Sequence, residues 1–265
     1  MRKIAATVAT VIITLVLATG DAGATTQNAR TTGFPTSSNR ASSMHLNWSE
    51  APAPALSVSA VVTIPHAPES AHLYFWALQV DFLDTDGKTV GGAHLGLQWH
   101  PSYPGNTAVN FGGYAPTDKG HVVELAGDVS PLPSADGNPN TRDFAWSPGR
   151  SYRLTISGSG DGRWNGTVTD VATGATTMVR RLHGGGVHIG RPAVWTESFA
   201  PCGESGVTAV WSKLEPAPKS VYATYQSFEN GGCTNTNAES TPDGFAQQTN
   251  TTRVTAGYET LRFGW

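Results

Sequence analysis

The chain has 265 residues, a formal net charge of −3, only 14% charged and 38% hydrophobic residues, and is rich in Gly (30), Pro (17) and Trp (8). Charge this sparse, against about a quarter in an average soluble chain, excludes a long coiled coil, and the tryptophans exclude wholesale disorder. No basic run supplies the counterion-release term of nucleic-acid binding or a polybasic membrane patch, so neither partner is expected.

Arg2 and Lys3 precede an apolar run over 8–17 and a small-x-small site at Ala22-Gly23-Ala24. This is the pattern of a signal peptide cleaved after Ala24, so the mature chain is expected to be secreted, with no membrane segment left after cleavage. Losing Arg2, Lys3 and Asp21 takes the net charge from −3 to −4. Residues 25–54 are rich in Thr, Ser and Asn, end in Ala51-Pro52-Ala53-Pro54, and read as a flexible tail.

From residue 55 the pattern is that of strands. Leu56, Val58, Ala60, Val62 and Ile64 alternate with small or polar residues. Residues 72–84 form a long apolar and aromatic stretch, turned by Asp84-Thr85-Asp86-Gly87-Lys88 into a return strand over 90–99. Further strands are expected at 107–114 and 121–125, followed by a Pro/Gly loop over 128–140. Tyr152, Leu154 and Ile156 alternate, a Gly-rich loop follows, and Trp164, Gly166 and Val168 share the next face. Strands at 176–182, 194–199, 207–214, 221–227 and 253–263 complete the series, and the terminal Leu261-Arg262-Phe263-Gly264-Trp265 is strand-like and expected to pair at a sheet edge or its centre. No helical period persists. Short strands with regular turns predict an all-β fold, a single-domain antiparallel β-sandwich of jelly-roll or concanavalin-like type over 55–265.

The segment Trp146-Ser147-Pro148-Gly149-Arg150-Ser151-Tyr152-Arg153-Leu154 leads to Trp164-Asn165-Gly166-Thr167-Val168-Thr169-Asp170. Gly96-Leu97-Gln98 and Val109-Asn110-Phe111-Gly112 lie upstream, and Thr196-Glu197-Ser198-Phe199 and the two cysteines downstream. Over about residues 55–235 this order resembles a family of secreted actinobacterial proteins grouped as a domain of unknown function. The resemblance implies an exported, lectin-like β-sandwich and assigns no catalytic residues.

Cys202 and Cys233 are the two cysteines. In an oxidising compartment their simplest arrangement is one disulfide; two cysteines alone make a poor zinc site. Asp84-x-Asp86-Gly87 lacks the remaining ligands of an EF-hand, and the histidine spacings suit no metal, so neither a metal nor another cofactor is expected. A structural calcium held by backbone carbonyls is left open. Gly203-Glu204-Ser205-Gly206 partly matches a trypsin-like turn, with Ser70-Ala71-His72 upstream, but Val207 stands where a second glycine belongs. His183-Gly184-Gly185-Gly186 mimics a lipase oxyanion loop in a chain without a G-x-S-x-G elbow.

Most tryptophans, Trp76 first, are expected in the core. Trp99, followed by a polar-aromatic loop, and Trp164, beside a Gly-rich loop, are the candidates for stacking on a sugar. With Gln98, His100, Tyr103 and Asn110 they make the expected ligand face of a non-enzymatic, lectin-like protein whose partner is an extracellular polysaccharide or glycan. A polysaccharide-active enzyme, a glycoside hydrolase or lyase, is the alternative, with Glu197 and Asp81 as its candidate carboxylates. A protein-interaction or envelope-structural role is the third reading.

Overall fold

The computed structural model describes residues 32–263 apart from 36, 38, 51–54, 118–120, 225–232, 234 and 256. The expected signal peptide lies outside the described residues. In chain order the strands are β1 (Ser42–Trp48), β2 (Ser57–Thr63), β3 (Tyr74–Leu83), β4 (Thr89–Trp99), β5 (Thr107–Pro116), β6 (Val122–Glu124), β7 (Thr141–Asp143) and β8 (Ser151–Gly158). They continue with β9 (Arg163–Asp170), β10 (Thr176–His183), β11 (His188–Ser198), β12 (Thr208–Glu215), β13 (Val221–Thr224), β14 (Thr236–Thr241), β15 (Gly244–Thr249) and β16 (Thr260–Leu261).

They form two antiparallel sheets, and the fold is a single-domain β-sandwich. One sheet has nine strands in the order β16-β13-β1-β11-β3-β4-β5-β6, with β7 also on β5; the other has seven, β10-β9-β8-β2-β12-β15-β14. The β3–β4 hairpin turns where the sequence places it. Gly87 takes φ 77°, and Asp84 Oδ1 accepts the Asp86 and Lys88 N–H groups at 3.0 and 2.9 Å, which commits that carboxylate to the turn.

The core follows from the period of two. Tyr74, Trp76, Leu78, Val80 and Phe82 of β3 all point inward and are fully buried. They meet Leu154 and Ile156 of β8, Trp164 of β9 and Trp211 of β12 within one cluster. Phe82 and Trp164 stack at 4.7 Å, and Trp146 sits edge-on to Trp76 at 5.8 Å. Gln247 of β15 is buried between the sheets: its Oε1 accepts Trp211 Nε1–H and Thr196 O–H at 2.8 Å, and its Nε2 donates to Met44 O at 3.0 Å.

Two sequence expectations are corrected. The tail expected over 25–54 contains β1, which lies inside the nine-stranded sheet between β11 and β13. Met44, Leu46 and Trp48 alternate into the core there. The long strand expected at 253–263 shrinks to the edge pair β16, while the β14–β15 hairpin takes up polar sequence not read as strand. Phe263 still packs, at 4.9 Å from Phe245.

Cys202 and Cys233 are disulfide-bonded. Ser42 Oγ donates to the Cys233 carbonyl, and Asn235 Nδ2 to the Cys202 carbonyl. The bridge therefore ties down the end of the nine-stranded sheet where β1 begins and β11 ends.

Candidate functional site

Residues paired in register share a face of a sheet. On the side of the nine-stranded sheet away from the core, β1, β11, β3, β4 and β5 present three successive rows. The first is Ser43, Glu197, Phe75, Gln98, Ala108; the second is His45, Trp195, Ala77, Gly96, Asn110; the third is Asn47, Ala193, Gln79, His94, Gly112. Phe75, Ala77 and Trp195 form a small apolar cluster of their own, separate from the main core. Around it the face is polar, and Ser43, His45, His94, Gln98, Asn110 and Glu197 are all buried.

Glu197 is 3% exposed. Asn39, in the turn before β1, donates from Nδ2 to its Oε1 at 2.9 Å. Burial outweighs that bond and pushes the carboxyl up to about 7. Gln98, two strands away across Phe75, has its amide oriented by its neighbours. Tyr103 Oη donates to its side-chain Oε1 at 3.3 Å, and Trp146 Nε1 pins its main-chain carbonyl at 3.0 Å. The Gln98 NH2 is then the end left for a ligand. Two strand spacings put the Glu197 and Gln98 backbones about 10 Å apart, with Phe75 between them in the row.

The histidines of this face are neutral. Burial pushes both His45 and His94 down to about 4. Their rings lie 5.6 and 5.9 Å from that of Trp195, whose Nε1 donates to Gln79 Oε1 at 3.0 Å. His94 hydrogen-bonds Asn110 on this face, whereas His45 Nδ1 is buried without a hydrogen-bond partner. Among the described residues, no group of three or more metal-ligating side chains comes together.

The six residues expected to form a glycan face divide. Gln98, Tyr103 and Asn110 belong to this face or close over it. His100 lies beyond the strand, its Nδ1 2.5 Å from Ser102 Oγ and its ring 5.5 Å from that of Tyr103. Trp99 and Trp164 point the other way. Trp99 follows Gln98, so the alternation of the strand turns it inward, half-buried at 6.3 Å from Trp146. Trp164 is fully buried against Phe82, with Nε1–H donated to Gly185 O at 2.8 Å. Neither indole is available to a sugar on the face that carries Gln98. Of the two candidate carboxylates, Glu197 lies in the first row, whereas Asp81 lies six residues further along β3 from Phe75 and pairs with Arg191 at 3.3 Å. The serine-protease reading finds no triad: Ser205 reaches Glu69 at 3.4 Å, and the His72 ring packs against Phe34. The sequence weighs His94 only as a metal ligand and does not single out His45, Asn39 or Trp195 for the site. The signal shared by His45, His94 and Trp195 is a period of two in which the alternate positions are polar or aromatic instead of exposed.

No family model and no curated protein matches the chain. Solved structures do resemble it. One is scytalido-glutamic peptidase with a peptide-based transition state analog (10% identity, 87% of this chain and 100% of that chain, TM-score 0.38). A second is SCP-B, an eqolisin-family peptidase in complex with the tripeptide Ala-Ile-His (10%, 87% and 100%, TM-score 0.39). A third is the CBM2 module of the evolved Dit of Lactobacillus casei BL23 phage J-1 (14%, 83% and 68%, TM-score 0.35). Identities of 10–14% make these distant likenesses of fold.

Proposed function

We propose that the chain is an exported hydrolase that cleaves peptide bonds in weakly acidic medium, with Glu197 as its acid–base group and Gln98 as the donor to the reacting oxygen. The observation that carries this reading is Glu197 itself. It is a buried carboxyl with no cation offsetting its burial among the described residues, held up to about 7, in register with an oriented carboxamide across one aromatic residue. Perturbed carboxyls of this kind concentrate at reacting sites.

The chemistry needs one carboxyl. Below about pH 7 Glu197 is a neutral acid that can give and take a proton at once. In the first step a water oxygen bonds to the substrate carbonyl carbon. The water proton passes to one Glu197 oxygen, while the proton on the other passes to the substrate oxygen, where Gln98 Nε2–H donates. In the second step Glu197 gives a proton to the amide nitrogen, the C–N bond breaks, and a hydroxyl proton of the tetrahedral intermediate returns to Glu197. No net charge has to form in the buried site, which a desolvated setting favours. Glycoside hydrolysis commonly needs a second carboxyl within about 5–10 Å. By strand spacing Asp81, Asp143 and Glu124, the other acids that register puts on this face among the described residues, lie about 20 Å or more from Glu197.

Glycan binding is the second reading. It is favoured by the Trp195 and Phe75 rings standing among the polar side chains of Gln98, Asn110 and His45. One experiment separates the two. The mature chain is incubated from pH 4 to 8 with a denatured-protein digest and with a polysaccharide panel, reading released amino groups, reducing sugar and binding together. New amino groups that vanish in Glu197→Gln support the peptidase. Glycan binding without release overturns it in favour of the lectin-like reading. Activity retained in Glu197→Gln removes the assignment of that residue.

A further inference from the structure

Along the same face, about 20 Å from the Glu197–Gln98 row, the strands open into a groove lined by Gln79, Asp81, Thr89, Gly92, Tyr114 and Val122. Asp81, Gly92, Tyr114 and Glu124 succeed one another in register across four strands. Gly92 is therefore the floor between the Asp81 carboxylate and the Tyr114 ring. A Cβ there would lie 3.4 Å from Asp81 Oδ1 and 2.9 Å from the Val80 carbonyl. The absent side chain leaves Oδ1 facing the groove.

The bonds Asp81 does make both fall on Oδ2: Thr89 Oγ1 donates at 3.2 Å and Arg191 Nη1 at 3.3 Å. The two partners in that ion pair are unequal. The Asp81 side chain is 15% exposed and that of Arg191 is 66% exposed. Arg191 is also held at φ 45° inside the β-bulge between Gly190 and Ala193. A non-glycine residue in this region of φ is uncommon, and such backbone outliers cluster at ligand clamps. Arg191 is thus a loosely seated cation on a well-seated anion.

We infer that this groove is a remote subsite for an arginine side chain of the substrate chain, which displaces Arg191 and pairs with both oxygens of Asp81 along the Tyr114 ring. A guanidinium fork matches a carboxylate that offers two oxygens, its stem packs on Val122, and its cationic face is attracted to an aromatic ring. The inference rests on the peptidase reading. At about 3.3 Å per extended residue, the arginine lies about six residues from the bond cleaved. The substrate is therefore an extended polypeptide, not a dipeptide or tripeptide.

The test measures binding in the Glu197→Gln background, where turnover and the Glu197 charge are both removed. Two blocked fourteen-residue peptides of Ala, Gly and Ser are compared by calorimetry, one carrying a single arginine six residues from its centre, the other citrulline there. The arginine peptide is expected to bind about tenfold more tightly, the order of a partly buried charge-assisted pair. Adding Asp81→Asn brings the ratio to about one. Adding Arg191→Ala, a change at an exposed side chain, raises it several-fold because the resident competitor is gone. Equal binding of the two peptides, or a ratio that Asp81→Asn leaves intact, overturns the subsite. Cleavage by the wild-type chain is scored separately. An arginine preference without cleavage keeps the subsite and removes the peptidase; cleavage without preference does the reverse.

Discussion

The nine-stranded sheet has two buried faces built from the same strands, and they differ in kind. On β3 the even-numbered residues from Tyr74 to Phe82 enter an apolar core backed by the second sheet, whereas the odd-numbered Phe75, Ala77 and Gln79 stand among His45, His94, Gln98, Asn110 and Glu197. Burial on the first face makes a stable interior. On the second it moves ionisation: Glu197 rises to about 7 and the two histidines fall to about 4. Low exposure is therefore no measure of a structural role. What separates the faces is what they bury: aliphatic and aromatic side chains on the first, and the carboxyl, imidazoles and amides of Glu197, His45, His94, Gln98 and Asn110 on the second.

The sharpest way to break this comparison is to remove chemistry from the second face without touching the first. Glu197→Gln keeps size and shape and is expected to lower peptide hydrolysis at least about 10³-fold, with Gln98→Ala costing about 10²–10³-fold. Wild-type activity should be present below pH 7 and fall as pH rises through about 7, where Glu197 ionises. It should also fall towards pH 4, where His45 and His94 take up charge. Initial rates across pH check both limbs, and an alkaline limb that persists unchanged in a residually active Glu197→Gln enzyme would assign it to another group.

The first face answers to stability instead. Trp164→Ala should cost about 3–5 kcal/mol in denaturant unfolding, because a fully buried indole stacked on Phe82 leaves a cavity. Any loss of binding in that variant would follow from loss of fold. Linkage sets the next effect. In the unfolded chain Glu197 titrates at its ordinary 4.5 and in the folded chain at about 7, so its contribution is intact below 4.5 and is lost as pH rises through 7. Glu197→Gln should therefore raise stability by about 3 kcal/mol at pH 8 and change it little at pH 4. The histidines act with the opposite sign. Their contribution is complete above 6.5 and is lost as pH falls to about 4, so the wild-type chain should lose stability as pH falls through that window.

The same division decides what could be read from sequence. The first face was legible: Leu56 to Ile64, the aromatic run of β3 and the Gly87 turn gave strands, core and sandwich. The second was hidden by its own chemistry. β1 carries Ser43, His45 and Asn47 towards the site and Met44, Leu46 and Trp48 inward, and the polar half made the whole segment look like a tail. β14 and β15 were overlooked in the same way, because buried Gln247 and its polar neighbours mimic loop composition. Trp99 and Trp164 were placed by the loops beside them, although choosing Gln98 for the ligand face already obliges Trp99 to point inward. Glu197 was singled out, but its pairing with Gln98 depends on the register of β11, β3 and β4, which no local pattern encodes.

The smallest effect tests how finely the second face is tuned. Asn39 is the hydrogen-bond donor that holds Glu197 down against its burial, and it stands in the turn leading into β1. Its side chain also braces that turn: Asn39 Oδ1 accepts Ser37 O–H and Ala41 N–H, each at 3.0 Å. Asn39→Ala removes a bond to the charged form of Glu197, so the carboxyl should rise further and the alkaline limb of the activity profile should move up by less than about one pH unit. Turnover on the acid side should change far less than in Glu197→Gln. A profile that keeps its midpoint while stability drops would assign Asn39 to the turn alone. A midpoint that moves with stability nearly intact would make it the residue through which the start of β1 sets the working pH of the site.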